Sequence, residues 1–105
     1  MEPFIHTQTE GSVRITLVPS MDLLVAGALK TSIVESFEAA PKVILDASPV
    51  ERISTACVQV ILAAGLYAED SDQEANIKIE NAPPAFISAV DCLGLSKLFE
   101  NWSTS

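Results

Sequence analysis

The sequence predicts one α/β domain, a mixed sheet of about four strands with three main helices packed largely on one face. Three observations predict it. The chain of 105 residues has room for a single modest hydrophobic core and no second domain. Its apolar residues switch between strict alternation and a four-residue spacing, the signatures of strand and helix. The resulting order is two strands, helix, strand, helix, strand, helix, which the layering and handedness rules turn into a sheet covered by helices.

The elements follow in order. Phe4–Gln8 and Val13–Leu17 flank Glu10-Gly11-Ser12, and Val13, Ile15 and Leu17 alternate with Arg14 and Thr16, which reads as an opening hairpin. After Pro19 and Ser20, Val25, Leu29, Ile33 and Phe37 recur four apart, the stripe of an amphipathic helix that ends near Pro41. Val43-Ile44-Leu45 stops at Asp46 and has the form of a central, parallel strand covered on both faces. Thr55–Ala68 is helical in length but has little polar face, so it is deeply packed or covered by a partner.

Residues 69–74 form a charged turn, and Asn76–Glu80 alternates as a half-exposed strand suited to a sheet edge. Asn81-Ala82-Pro83-Pro84 opens a last helix carrying Phe86, Val90 and Leu93, with Gly94 placed to end it and Leu95 to pack back. The domain spans 1–105, and residues 101–105 read as a short, dispensable tail.

Composition narrows the function classes. Fourteen acidic residues against six basic ones give a charge of -8, which argues against nucleic acid and anionic membranes as partners. Asp, Glu, Lys or Pro interrupts every apolar stretch short of the ~20 residues that span a bilayer, so no direct membrane insertion is expected. Cys57 and Cys92 lie in apolar runs without CxxC spacing, and with no leader in view they read as reduced thiols of a cytoplasmic protein.

His6 is the only histidine, which excludes a multi-histidine metal site by count and leaves a catalytic triad without support, and it reads as a strand residue. Asp22, Asp46, Glu51 and the 69–74 cluster lack the alternating oxygen-ligand spacing of a calcium loop and read as solvated acids. No Gly-rich phosphate loop, GxSxG elbow or HExxH helix occurs. No enzyme, metal or cofactor is implied.

The stretch Val43–Ala64, VILDASPVERISTACVQVILAA, resembles the signature of the STAS domain family, the small regulatory modules that include the anti-sigma-factor antagonists. Its strand ends in Leu-Asp, a short loop carries Val50 and Ile53, and a helix opens at a quartet matching Ser54, Thr55, Ala56 and Cys57. Met21-Asp22 resembles the family's Leu-Asp before its first helix, and Gly94-Leu95 with Leu98-Phe99 resembles its close. The resemblance runs from about Gly11 to Phe99.

Family members of this kind imply a cytoplasmic protein-binding switch in bacteria, docking a kinase or ATPase domain. In the anti-sigma antagonists the quartet's third residue is the serine phosphorylated by the partner kinase. Here that position is Ala56, which cannot accept a phosphoryl group, and Ser54 and Cys57 replace the usual Asp and Gly. Thr55-Ala56 and Gln59 instead resemble a subgroup found with chemotaxis and two-component kinases and in a lipid-transport ABC complex.

The residues themselves allow sharper and plainer roles. A helix start offers unpaired N–H groups, so Ser54 and Thr55 are candidates for phosphorylation or partner contact, while Ser54 also suits a plain N-cap. Cys57 suits core packing better than redox chemistry. Asp46 and Ser48 suit turn chemistry. The loop from Pro49 and the first turns of the helix form an expected docking patch over 49–62, with Arg52, Ser54, Thr55, Val58, Gln59 and Leu62 as partner-binding residues. Exposed edge strands and an apolar helix surface permit a homodimer without requiring one.

Overall fold

The computed structural model describes residues 4–70 and 76–104. A five-stranded sheet is ordered β1 (Ile5–Thr9), β2 (Ser12–Thr16), β4 (Lys42–Asp46), β6 (Asn76–Glu80), β7 (Ser103–Thr104), and a two-stranded one pairs β3 (Ser20–Met21) with β5 (Arg52–Ile53). β1 (Ile5–Thr9) and β2 (Ser12–Thr16) are antiparallel around Gly11, whose φ of 81° lies in the left-handed region that glycine enters at no steric cost. β2, β4 (Lys42–Asp46) and β6 (Asn76–Glu80) run parallel. The fold class expected from the sequence is the one observed.

Helices α1 (Leu23–Ala39) and α2 (Thr55–Asp70) are the crossovers between those parallel strands. They pack on the sheet face that carries Val13, Ile15, Val43, Leu45, Ile77 and Ile79, all buried. From α1, Leu29 and Ile33 reach this core, and from α2 come Cys57, Val58 and Ile61. This packing accounts for one side of α2 only, since Leu66 and Tyr67 on the same helix remain exposed.

The opposite sheet face is more open. Ile44 is only half-buried, so the central strand is covered by helices on one face and not on both. On that open face Arg14 stitches three strands, meeting Glu80 at 2.7 Å and Asp46 at 3.3 Å.

α3 (Pro84–Cys92) buries Phe86 and Val90, while Leu93, expected on the same side, is 40 % exposed at its C-cap. Gly94, with φ 73°, ends the helix: its N–H and that of Leu95 donate back to the carbonyls of Asp91 and Val90. After α4 (Ser96–Phe99) the chain returns to the sheet as β7 (Ser103–Thr104), parallel to β6.

Two expectations change here. Asn76–Glu80 is an interior strand, because β7 pairs with Ile79 and Glu80 at its C-terminal end. Residues 101–104 are not a trailing tail either. Trp102 is only 4 % exposed, packs edge-on to Phe99 at 5.2 Å, and donates its indole N–H to Glu69 at 2.6 Å. A tryptophan between polar neighbours leaves no periodic trace, so its burial was not legible from spacing. α2 also runs two residues past Ala68, and the rest of the expected charged turn, residues 71–74, lies outside the described residues.

Candidate functional site

The site forms where α1 and α2 begin. β3 (Ser20–Met21) and β5 (Arg52–Ile53) pair in parallel and bring the two helix starts side by side. Val50 anchors the intervening loop by burial, and the N–H groups of Glu51 and Arg52 both donate to the Pro19 carbonyl. The Ser54 N–H donates to the Met21 carbonyl at 2.7 Å. Within the expected loop at 49–54 only Arg52–Ile53 is strand, and two residues are too few to show a strand period in the sequence.

Ser54 caps α2: its hydroxyl accepts the Cys57 N–H at 3.3 Å. Asp22 caps α1 in the same way, accepting the Leu24 N–H at 3.0 Å. The two caps are tied together by Cys57, whose thiol donates to the Asp22 carbonyl at 3.3 Å. Burial pushes the Cys57 thiol above its ordinary pKa, and the Asp22 charge adds to that against the lowering bond from Ser54. A thiol so held is a packing and tethering group, as expected.

Cys92, by contrast, is exposed on α3. A thiol reagent at neutral pH is expected to modify Cys92 within minutes and Cys57 only after unfolding in urea. Mass spectrometry of peptides from the native, labelled chain checks this, and early labelling of Cys57 would refute its locked placement.

The expected docking residues divide. Arg52, Thr55 and Gln59 are exposed, with Thr55 and Gln59 one turn apart on the same face of α2. The Arg52 guanidinium is steadied by donation from Nε to the Ser20 hydroxyl at 3.0 Å. Ser54 and Leu62 are half-buried, and Leu62 leans on the core. Val58 is fully buried and is removed from the docking surface: three residues beyond Thr55, it points into the sheet face.

Two apolar residues next to this patch were not singled out from the sequence. Leu23 and Leu24, in the first turn of α1, are 70 % and 90 % exposed. Their signal was present, since both lie off the Val25-Leu29-Ile33-Phe37 stripe and so had to point away from the core.

Asp46 ends β4 and anchors the turn that follows it. Its carboxylate accepts from the Ser48 N–H at 3.1 Å, from Asn81 at 3.3 Å and from Arg14, which makes residues 46–48 an Asx turn. Burial pushes this carboxyl upward, but the donors from Ser48, Asn81 and Arg14 together outweigh it and hold it below the usual range. Asn81 serves from a left-handed backbone with φ 58°.

Among the described residues no group of three or more His, Cys, Asp or Glu side chains could hold a metal ion. Among them, too, no helix is long and apolar enough to cross a membrane.

Known structures share this architecture. An anti-sigma factor antagonist from Mycobacterium paratuberculosis is 21% identical, with a TM-score of 0.75 over 91% of this chain and 80% of that one. The anti-sigma factor antagonist SpoIIAA in its unphosphorylated form is 16% identical, with a TM-score of 0.76 over 96% of this chain and 85% of that one. No curated protein matches the sequence. A family model described as "Mlab, STAS domain" matches residues 5–100, from the opening hairpin to the turn before Trp102, and the chain belongs to the STAS domain family.

Proposed function

We propose that this chain is a non-catalytic regulatory module that docks a kinase or ATPase domain in bacterial signalling, through the loop and helix start at residues 49–62. The observation that carries it is the exposure of Arg52, Thr55 and Gln59 on backbone held rigid by the β3–β5 pair and the Ser54 cap. A preformed surface loses little entropy on binding, which suits a docking site. Exposed Leu23 and Leu24 extend it with apolar area.

A second reading, a constitutive subunit of a lipid-transport ABC ATPase complex, is favoured by Ala56. It stands where a phospho-switched relative carries serine, so binding here need not be reversible by that chemistry. Should the chain be phosphorylated at all, Thr55 is the acceptor: it is exposed, whereas the Ser54 hydroxyl is half-buried and engaged with the Cys57 N–H. A phosphate there would add about two negative charges to the docking surface and turn binding off.

The test is to identify the protein that copurifies with the full chain and measure its affinity for purified wild type and Thr55→Glu. An ATP-binding kinase or ATPase domain is expected, bound at least about 10-fold more weakly by the variant, a loss of ~1.4 kcal/mol. Unchanged affinity removes Thr55 from the interface. Incubation of the pair with ATP, followed by intact-mass measurement, separates a phospho-switch from constitutive docking.

A further inference from the structure

α1 is held unevenly along its length. Asp22 caps its first turn, and Leu29 and Ile33 are its buried apolar side chains. The other residues that the helix buries are Ser32 and Ser36, both in its distal half. Half of the side chains that α1 commits to the interior are therefore hydroxyls, whereas α2 buries Cys57, Val58, Ile61 and small residues.

The two hydroxyls are treated differently. Ser36 donates its hydroxyl back to the Ser32 carbonyl at 2.7 Å, a bond that competes with the helix ladder and favours bending. The Ser32 hydroxyl is wholly buried and finds no hydrogen-bond partner among the described residues. Water satisfies that hydroxyl when the segment opens, so its burial works against the closed state.

The end of the helix adds to this. Ala40 caps α1 in an extended conformation, its N–H on the Ser36 carbonyl at 2.9 Å, without the left-handed residue that closes α3 at Gly94. The last turn carries no basic residue, while Glu35 and Glu38, exposed and three apart, repel each other and the negative end of the helix dipole. The distal end of α2 is acidic too, but there Trp102 packs over Gly65 and donates to Glu69. At the same end of α1, Phe37 meets a ring that is itself exposed, Tyr67.

We propose that the distal half of α1, residues 32–39, is a built-in opening segment, which unwinds as a unit while the sheet, α2 and the proximal half of α1 stay folded. Opening hydrates the Ser32 hydroxyl and relieves the charge repulsion at the helix end. The helix starts lie at the opposite end, held by the β3–β5 pair and the Asp22 and Ser54 caps. α1 thus has a fixed end, which presents Leu23 and Leu24, and a yielding end that changes state without disturbing it.

Amide exchange of the full chain, resolved by residue with NMR at rising sub-denaturing urea, tests this. The amides of residues 36–40 are expected to exchange at least about 100-fold faster than those of residues 60–64 in α2, corrected for intrinsic rates and with little dependence on urea. Trp102→Ala should speed exchange at 60–64 and leave 36–40 unchanged, because the local opening does not break the indole contact. Ser32→Ala should slow exchange at 36–40 by about 10-fold, since alanine keeps the helix and removes the unpaired hydroxyl. Glu38→Lys, at an exposed position that puts folding at no risk, should slow it by about 3-fold. Exchange at 36–40 that matches 60–64 in rate and urea dependence, Ser32→Ala exchanging there as fast as wild type or faster, or Trp102→Ala speeding both segments alike would each overturn the proposal.

Discussion

Trp102→Ala is expected to lower the unfolding free energy by about 3–5 kcal/mol, read as a fall in the urea midpoint at unchanged slope. The indole is nearly fully buried against Phe99 and over Gly65, and its N–H is bound to Glu69. Its backbone carbonyl accepts the Ile79 N–H at 2.7 Å, at the start of the β6–β7 pairing, so the buried indole anchors the segment that reaches the sheet. Small domains are stable by only about 5–15 kcal/mol, so the loss takes a large share of the total.

The same contact can be attacked from α2. A Cβ on Gly65 would fall inside the van der Waals radius of three Trp102 ring atoms, so Gly65→Val must displace the indole at a cost of about 1–3 kcal/mol or more. In the Trp102→Ala background that clash has no partner. A double-mutant cycle should therefore show strong coupling, with Gly65→Val near neutral or stabilising once the indole is gone. Additive effects of the two substitutions would deny the Gly65–Trp102 contact, and a Trp102→Ala midpoint equal to wild type would show that the C-terminal segment is dispensable after all.

This lock marks the limit of what periodicity reveals. The i, i+4 stripe of α1 and the alternation of β2 and β6 were legible because each records one repeated environment along an element. Gly94 announced its turn because only a left-handed residue ends a helix that way. Trp102, Val50 and the β3–β5 pair were not legible: each is a single tertiary contact made by one or two residues. The resemblance pointed to the helix start at Ser54–Cys57, but spacing alone could not sort the faces of that helix. Thr55 and Gln59 point outward and Val58 inward on one apolar helix, a distinction that depends on where the sheet lies.

Asp46→Ala should cost about 2–3 kcal/mol, more than a surface ion pair is worth, because the carboxylate is largely buried and serves three donors at once. Removing it leaves Arg14 to Glu80 alone and deprives the Ser48 N–H and Asn81 amide of their acceptor. The acid limb of stability separates this role from simple packing. Folding holds the carboxyl below its ordinary value, so its contribution is fully present above the unfolded pKa, about 3.9, and is lost as pH falls through the folded pKa. Wild type should therefore lose stability below about pH 4, and Asp46→Asn, which keeps the volume and one acceptor, should show a flatter acid limb. Superimposable acid limbs would deny Asp46 this part. Because the Asx turn at 46–48 leads directly into the braced segment before Ser54, Asp46→Ala should also loosen the helix start, seen as faster amide exchange at Ser54 and Cys57. Partner affinity should then fall without any change to Arg52, Thr55 or Gln59, since a surface that must be reordered on binding loses part of the affinity its contacts supply.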